Sequence, residues 1–372
     1  MTVRLSRLAA PGRPLDQSCS VDEKNQTKRL PDRRSVSVKK VALIDTAHWH
    51  VPLYLDELEK SGVEIIGISD PTDTAGPALA RKFGTPCFAT CEQLLARERP
   101  ELAFVFGRHI DMPRTANLLL DHGIPFAIEK PCGTRAADVQ QLALKAAQKQ
   151  AFVAVPFIFR LSDTMKIIQG GEAPVKLDHA SFRFVAGPPS RYLRAGNPWM
   201  LERDIAGGGP LINVGVHMID LFRTLSCSKI VAVSAFATAL INKLSIEDFI
   251  TVALQCASGA IGTIECGYTF PSAPGQQREF TFSVRAGNRF FRSADKGIEI
   301  IRDGVNGIEH EFVPAELDTD VYYADFVRHV LNAVQDDSLA IADFRDAAAV
   351  LDLVEAAYRS ASEGGRTIHL SH

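Results

Sequence analysis

Patterned cysteines, long apolar runs and an excess of charge of one sign are what this chain lacks. Its seven cysteines, at 19, 87, 91, 132, 227, 256 and 266, are odd in number and scattered, which argues against a disulfide framework and a zinc-ligand pattern. Cys87 and Cys91, the closest pair, have no second pair to complete a ligand set and read as small buried thiols. The most apolar run, 230–241, is interrupted by Ser234 and Thr238 and falls far short of a bilayer span. A net charge of -3 with no recurring basic stripe leaves no footprint for nucleic acid. No apolar leader opens the chain, so a signal peptide is not expected and a reducing cytoplasm is the expected compartment.

What is present is the composition of a globular protein. At 372 residues the chain exceeds what one hydrophobic core organises, so two domains are expected. Residues 1–38 stand apart, with Arg4, Arg7, Arg13, Lys24, Lys28, Arg29, Arg33 and Arg34 among polar neighbours. They read as a disordered tail or an upstream extension, with a basic nucleic-acid arm the less favoured alternative. From Lys39 onward, apolar runs at 41–44, 64–69, 102–106, 125–128 and 152–159 alternate with helical periodicities at 52–60, 75–83, 90–97, 113–122 and 136–149. That alternation predicts a parallel sheet covered on both faces, a doubly wound α/β domain over 39–155. Beyond about residue 172, short strand-like runs joined by turns predict a large, mainly antiparallel sheet, interrupted by one helix after Gly207. Two helices, 321–334 and 344–362, end this second domain, 156–372, and are expected to pack back on the first.

The first strand-to-helix turn is where such a domain cradles a pyrophosphate, and glycines usually let the backbone approach. Here it reads Asp45-Thr46-Ala47-His48-Trp49-His50, and Asp45, Ala47 and His50 occupy the three glycine positions. Thr46, Ala47, His48 and Trp49 are nevertheless the expected cofactor contacts. Asp70 ends the second strand at the distance where a carboxylate receives ribose hydroxyls, which favours NAD and repels the 2′-phosphate of NADP. His48 and His50 invite a metal, but no further His or Cys lies nearby in sequence, so none is expected.

Two polar constellations carry the chemistry. Glu129-Lys130-Pro131 ends the fourth strand, where parallel sheets bind ligands, and its Lys130–Pro131 peptide is expected to be cis. Gly207-Gly208-Gly209 leads into a helix on which Asn213 and His217 stand four residues apart, one turn above the other. That spacing predicts an imidazole general base, His217, held in one tautomer by Asn213. Lys130 is the expected electrostatic partner of a developing alkoxide, and Glu129 is expected to fix the lysine or the nicotinamide ribose. Arg160, Arg183 and Trp199 are the weaker candidates for substrate contact; Arg108 and His109 border the cofactor edge.

With these motifs the chain resembles the Gfo/Idh/MocA family of sugar and cyclitol oxidoreductases, and the closing Glu363-Gly364-Gly365-Arg366-Thr367-Ile368 fits the same pattern. The resemblance spans residues 39 to 370. It implies a Rossmann domain for NAD or NADP, a C-terminal open sheet that supports homodimers or homotetramers, and a polyol or sugar substrate. It also implies that Lys130 and His217 face the nicotinamide from opposite domains. An aspartate usually stands where Asn213 stands here, and an amide orients an imidazole without stabilising its charge. The expected function is hydride transfer between NAD and a secondary alcohol or ketone. The alternative is a non-catalytic NAD- or sugar-binding regulator of the same fold, favoured by Asn213 and the missing glycines. A third reading keeps NAD bound for redox-assisted elimination or hydrolysis.

Overall fold

The computed structural model describes residues 38–170, 176–272, 278–336 and 341–370, so the expected tail lies outside the described residues up to position 37. The first half alternates β1 (Lys40–Ile44), α1 (Val51–Lys60), β2 (Glu64–Ser69), α2 (Gly76–Phe83), β3 (Cys87–Phe88), α3 (Cys91–Arg97), β4 (Leu102–Val105), α4 (Met112–His122), β5 (Phe126–Ile128), α5 (Ala136–Lys149) and β6 (Val153–Ala154). All strands are parallel in the order β3-β2-β1-β4-β5-β6, the doubly wound arrangement with its crossover beside β1. Helices on both faces bury every residue of β4 and β5, which is why these strands read as unbroken apolar runs. Prolines in the first turns of α1 and α4 meet no lost hydrogen bond there.

The strand expected over 152–159 is only two residues long. Pro156 has no N–H to continue the ladder, and the chain leaves the sheet for a tight turn at Ile158–Leu161. It continues through α6 (Asp163–Gln169), β7 (Leu177–Ala186), α7 (Ser190–Arg194), α8 (Arg203–Ala206) and α9 (Val216–Ser226). Then come β8 (Ile230–Thr238), β9 (Phe249–Cys256), β10 (Ile261–Gly267), β11 (Arg278–Ala286), β12 (Arg289–Ala294), β13 (Gly297–Gly304) and β14 (Gly307–Pro314). Two helices, α10 (Tyr322–Ala333) and α11 (Phe344–Ser362), and the short β15 (Ile368–His369) complete the fold. The nine strands run β14-β13-β12-β11-β7-β10-β9-β8-β15, antiparallel except for the β7–β10 pair.

The stretch 187–226 differs from the single helix expected there. It holds α7, a tight turn at Pro198–Leu201, α8, a π-helical turn at Leu211–Gly215 and then α9. Residues 203–226 are as apolar as a membrane-crossing helix, yet 89% of that window is buried inside the fold, so the hydrophobicity serves the core. Helix α10 packs on α1, and α11 lies against both α5 and β8, fastening the second sheet to the first.

Candidate active site

A cavity of about 120 Å³ lies at the carboxyl end of the parallel sheet, where β1 and β5 meet the second half of the chain. His50, Lys130, Arg191, Asn213, His217 and Tyr323 are among its walls.

Strand β5 delivers Glu129 and Lys130, and the Lys130–Pro131 peptide is cis as expected. The Lys130 amine is buried and donates to the Asn213 main-chain oxygen at 2.7 Å and to Asn213 Oδ1 at 2.9 Å. Burial, only partly offset by the charge of Glu129, brings its pKa down to about 8. The amide of Asn213 donates in turn to the hydroxyls of Tyr192 (2.6 Å) and Tyr268 (2.8 Å). Asn213 therefore positions Lys130 and does not orient His217. The four-residue spacing misleads because a π turn runs through Leu211–Gly215, so positions 213 and 217 are not one α-helical turn apart. His217 Nδ1 is buried with no hydrogen-bond partner among the described residues, and the ring stands between Phe157 and Phe159. Burial first, and then the Lys130 charge, hold this imidazole neutral.

The glycine run ahead of the π turn is set by close packing. A Cβ on Gly208 would come within 2.1 Å of the Tyr358 hydroxyl, and Gly208 has φ +156. Glu247 fixes the same turn by accepting from Gly209 N (3.0 Å), Leu211 N (3.1 Å) and the Tyr358 hydroxyl (2.8 Å).

Glu129 is the hub of a second cluster. Its Oε1 accepts from the Tyr54 hydroxyl at 2.6 Å and lies 3.0 Å from His50 Nδ1, and its Oε2 accepts from Lys130 N at 3.2 Å. Beside a carboxylate, His50 Nδ1 carries the proton and donates, which leaves the lone pair on Nε2. The Tyr323 hydroxyl lies 3.2 Å from the same Nδ1. Burial and the Lys130 charge keep His50 well below the usual imidazole range, so it is a neutral base at pH 7. Ligand atoms of His48, His50 and Glu129 lie within 4.8 Å of one another, close enough to chelate a metal. In this arrangement hydrogen bonds fill that space: His48 Nδ1 accepts from His50 N at 3.1 Å, and His50 and Glu129 hold each other.

The cofactor turn keeps the conformation that glycine would serve. Asp45, at the first glycine position, has φ 56, so the positive φ survives without the glycine. Its carboxylate accepts from Ser69 (3.1 Å) and Thr115 (2.8 Å), which turns it into the fold, and burial raises its pKa despite those bonds. The small Ala47 fills the second glycine position. The turn otherwise fits a dinucleotide, with one change: Thr46 is buried and its N–H donates to the Ser69 carbonyl at 3.0 Å, so the main chain of Ala47 and His48 would meet the pyrophosphate, and Trp49, Glu129 and Lys130 the nicotinamide end. The turn is covered in this arrangement, because Asn197 and Trp199 both donate to the Ala47 carbonyl, at 3.1 and 3.2 Å.

Several expected roles change. Asp70 does not present a free carboxylate to a ribose. Its Oδ1 accepts from Thr72 N (3.0 Å) and Oγ1 (2.7 Å), and its Oδ2 from Thr74 N (3.0 Å), Ala75 N (2.8 Å) and Gly76 N (2.7 Å). An acidic residue at a strand end followed by small residues closes its own loop before it can reach a ligand. Arg160 faces away from the cavity and pairs with Asp220 (2.6 Å) and Asp346 (2.9 Å), joining α9 to α11. Arg183 lies on the sheet between Glu265 and Glu279, where side-chain alternation along β7 carries it away from the cavity wall. Trp199 packs on His48 and His109 over the cofactor turn instead of lining the cavity. His109 Nδ1 lies 2.7 Å from the Ala206 carbonyl, and burial lowers its pKa to about 3; Arg108 pairs with Asp111 nearby. Tyr54, Arg191, Tyr192, Tyr268, Arg278 and Tyr323 are cavity or cluster residues that sequence reasoning missed. Only Tyr54, four residues after His50, carried a local signal; the others arrive from distant elements.

Two models of one family match the chain. Residues 46–157 match the oxidoreductase family, NAD-binding Rossmann fold, and residues 175–287 match the GFO/IDH/MocA C-terminal domain. The chain belongs to the Gfo/Idh/MocA oxidoreductase family, and its first half is an NAD-binding Rossmann domain. Trans-1,2-dihydrobenzene-1,2-diol dehydrogenase of Mus musculus is 23% identical over 303 residues, covering 74% of this chain and 83% of that protein. GenD2 from gentamicin A biosynthesis, solved in complex with NAD, shares the fold with a TM-score of 0.78 at 21% identity, over 93% of this chain and 100% of its own. Levoglucosan dehydrogenase, solved with NADH and levoglucosan, gives 0.74 at 17%, over 90% and 100%. The protein is an NAD-binding oxidoreductase of the dehydrogenase type.

Proposed function

We propose that this oxidoreductase interconverts a secondary alcohol and a ketone on a sugar, sugar derivative or cyclitol. The observation that carries this reading is the convergence of Lys130 and two neutral imidazoles, His50 and His217, on one cavity at the carboxyl end of the Rossmann sheet. Bound NAD supplies the hydride acceptor. Lys130, charged below about pH 8 and fixed by Asn213, donates a hydrogen bond to the reacting oxygen and stabilises the developing alkoxide.

The hydroxyl proton goes to His50 Nε2 in preference to His217. The imidazolium formed at His50 would lie against the Glu129 carboxylate, whereas His217 has no carboxylate to stabilise its charged form. The surfaces of β12, β13 and β14 leave one flank of the second sheet unpacked, with Ile308 and Phe312 exposed, and we assign that flank to homodimer or homotetramer contact.

Incubating the protein with NAD and a panel of polyols, sugars and sugar acids, and following reduced nicotinamide at neutral pH, tests the reading. Turnover with at least one member is expected. No turnover with any of them, while NADH still binds, would favour the regulatory alternative.

A further inference from the structure

Three cationic side chains reach the cavity, and two of them are satisfied by the protein. Lys130 is held by Asn213, and Arg278 pairs with Asp320 at 2.9 Å and with Asp318. Arg191, brought in by α7, is different. It has no carboxylate within ion-pair distance among the described residues, and its Nε is buried without any hydrogen bond. Its one hydrogen bond goes from Nη2 to the Tyr192 hydroxyl. The guanidinium lies 4.6 Å from the Tyr192 ring centroid, 5.1 Å from that of Tyr268 and 5.8 Å from that of Trp49. Three aromatic faces therefore hold the fork in place while donors remain unused.

A buried guanidinium without a counter-ion is costly, because desolvation is not offset by a partner charge. A ligand that brings the missing anion restores that balance, and a planar fork with free N–H groups matches a carboxylate. The Tyr192 hydroxyl also accepts from Asn213, so the arginine is coupled through that hydroxyl, and through the face of Tyr268, to the residue that positions Lys130.

We propose that Arg191 forms a carboxylate subsite, so that the substrate of the reaction proposed above is a polyhydroxy acid, such as a uronic or aldonic acid. Its carboxylate docks on Arg191 while a neighbouring carbinol faces Lys130 and His50. The inference rests on the oxidoreductase reading for its carbinol but not for its anion. An anion from the cofactor, its pyrophosphate, is the competing source for the same fork.

The test measures binding to the full chain by calorimetry, with NADH present, for D-glucuronate and D-gluconate against their neutral counterparts D-glucose and D-glucitol. The expected result is binding of at least one acid about 10- to 100-fold tighter than its neutral counterpart, falling by a similar factor in Arg191→Gln and less in Arg191→Lys, which keeps charge but loses the fork. The Lys variant keeps the test decisive should the Gln variant fold poorly. Binding of NADH alone should be unchanged in both variants. A drop in NADH affinity with no acid preference would give Arg191 to the cofactor and overturn the subsite. Equal binding of acid and neutral members, or no acid binding at all, would overturn it too. Acid binding that depends on Arg191 without any NADH production would keep the subsite and count against the oxidoreductase reading; NADH production from a neutral polyol alone would do the reverse.

Discussion

Asn213 in the cavity wall and Glu129, buried behind His50, are each the hub of a hydrogen-bond cluster, but the hubs differ in charge. Glu129, from the Rossmann half, gathers Tyr54, His50 and the Lys130 main chain around a carboxylate. Asn213, from the π turn of the second half, gathers the Lys130 amine, Tyr192 and Tyr268 around an amide. A carboxylate can stabilise a positive charge that appears on its partner, whereas an amide can only hold its partner in place. The imidazole on the charged hub is thus equipped to accept a proton. The amine on the neutral hub is left with a depressed pKa of about 8 and donates a hydrogen bond. The Asn213–His217 spacing suggested an imidazole oriented by the amide; in the fold Asn213 holds Lys130 instead, and the imidazole held by a polar side chain is His50, on Glu129.

The sharpest way to break this comparison is to remove each imidazole in turn. His50→Gln should lower kcat by about 10²-fold or more on a substrate found by the panel, the usual loss for general acid–base catalysis, and His217→Gln by no more than about 10-fold. Steady-state kinetics of both variants check this, and the opposite order would return the proton to His217. Glu129→Gln keeps the shape of the hub but removes its charge. It should cost about 10- to 100-fold in kcat, and the loss should be smaller at high pH, where solvent hydroxide takes over part of the proton removal.

Asn213→Asp does the converse by charging the neutral hub. A carboxylate beside the amine favours the ammonium, so the pKa of Lys130 should rise above about 8. The decline of the oxidation rate at alkaline pH should then move upward by on the order of one pH unit. A pH–rate profile that does not move would mean that the lysine does not set that limb. Groups facing this pair that must be allowed for are Glu129, Arg191, His50 and His217.

A smaller effect is expected at the cover over the cofactor turn. Replacing Asn197 by Ala removes one of the two donors to the Ala47 carbonyl, and stopped-flow quenching should show NADH associating a few-fold faster, the scale of one neutral hydrogen bond. An unchanged association rate would mean that the segment does not limit entry. No effect at all is expected from prolonged dialysis against EDTA. A lower melting temperature afterwards, restored by zinc, would turn the Glu129 cluster with His48 and His50 into a coordination site.

Much of the Rossmann half was legible because its signals are local. Apolar runs of four to six residues between amphipathic helices reproduce β1, β2, β4 and α1 to α5 within a few residues. Where the prediction failed, the cause was either one residue or a distant partner. Pro156 cut the sixth strand short, and β15 is a strand only because Ile368 and His369 pair with β8. Strand β14 is exposed at all but one position, so no apolar run marks it.

The same division runs through the site. The residue types present, a lysine at the end of β5, an imidazole after a glycine run and a strand-to-helix turn for a dinucleotide, were determined by the sequence alone, since each is written in a contiguous motif. Which group orients which was decided only in three dimensions. His50 and Glu129 are 79 residues apart, Lys130 and Asn213 are 83, and Asn213 and Tyr268 are 55. No periodicity spans such separations. The π turn at Leu211–Gly215, which follows a glycine run packed against Tyr358 and Glu247, breaks the α-helical spacing, and Asn213 meets the lysine and not the imidazole. Hydrogen bonds form between atoms that packing brings within about 3 Å, and sequence spacing reports that distance only where the helix is regular.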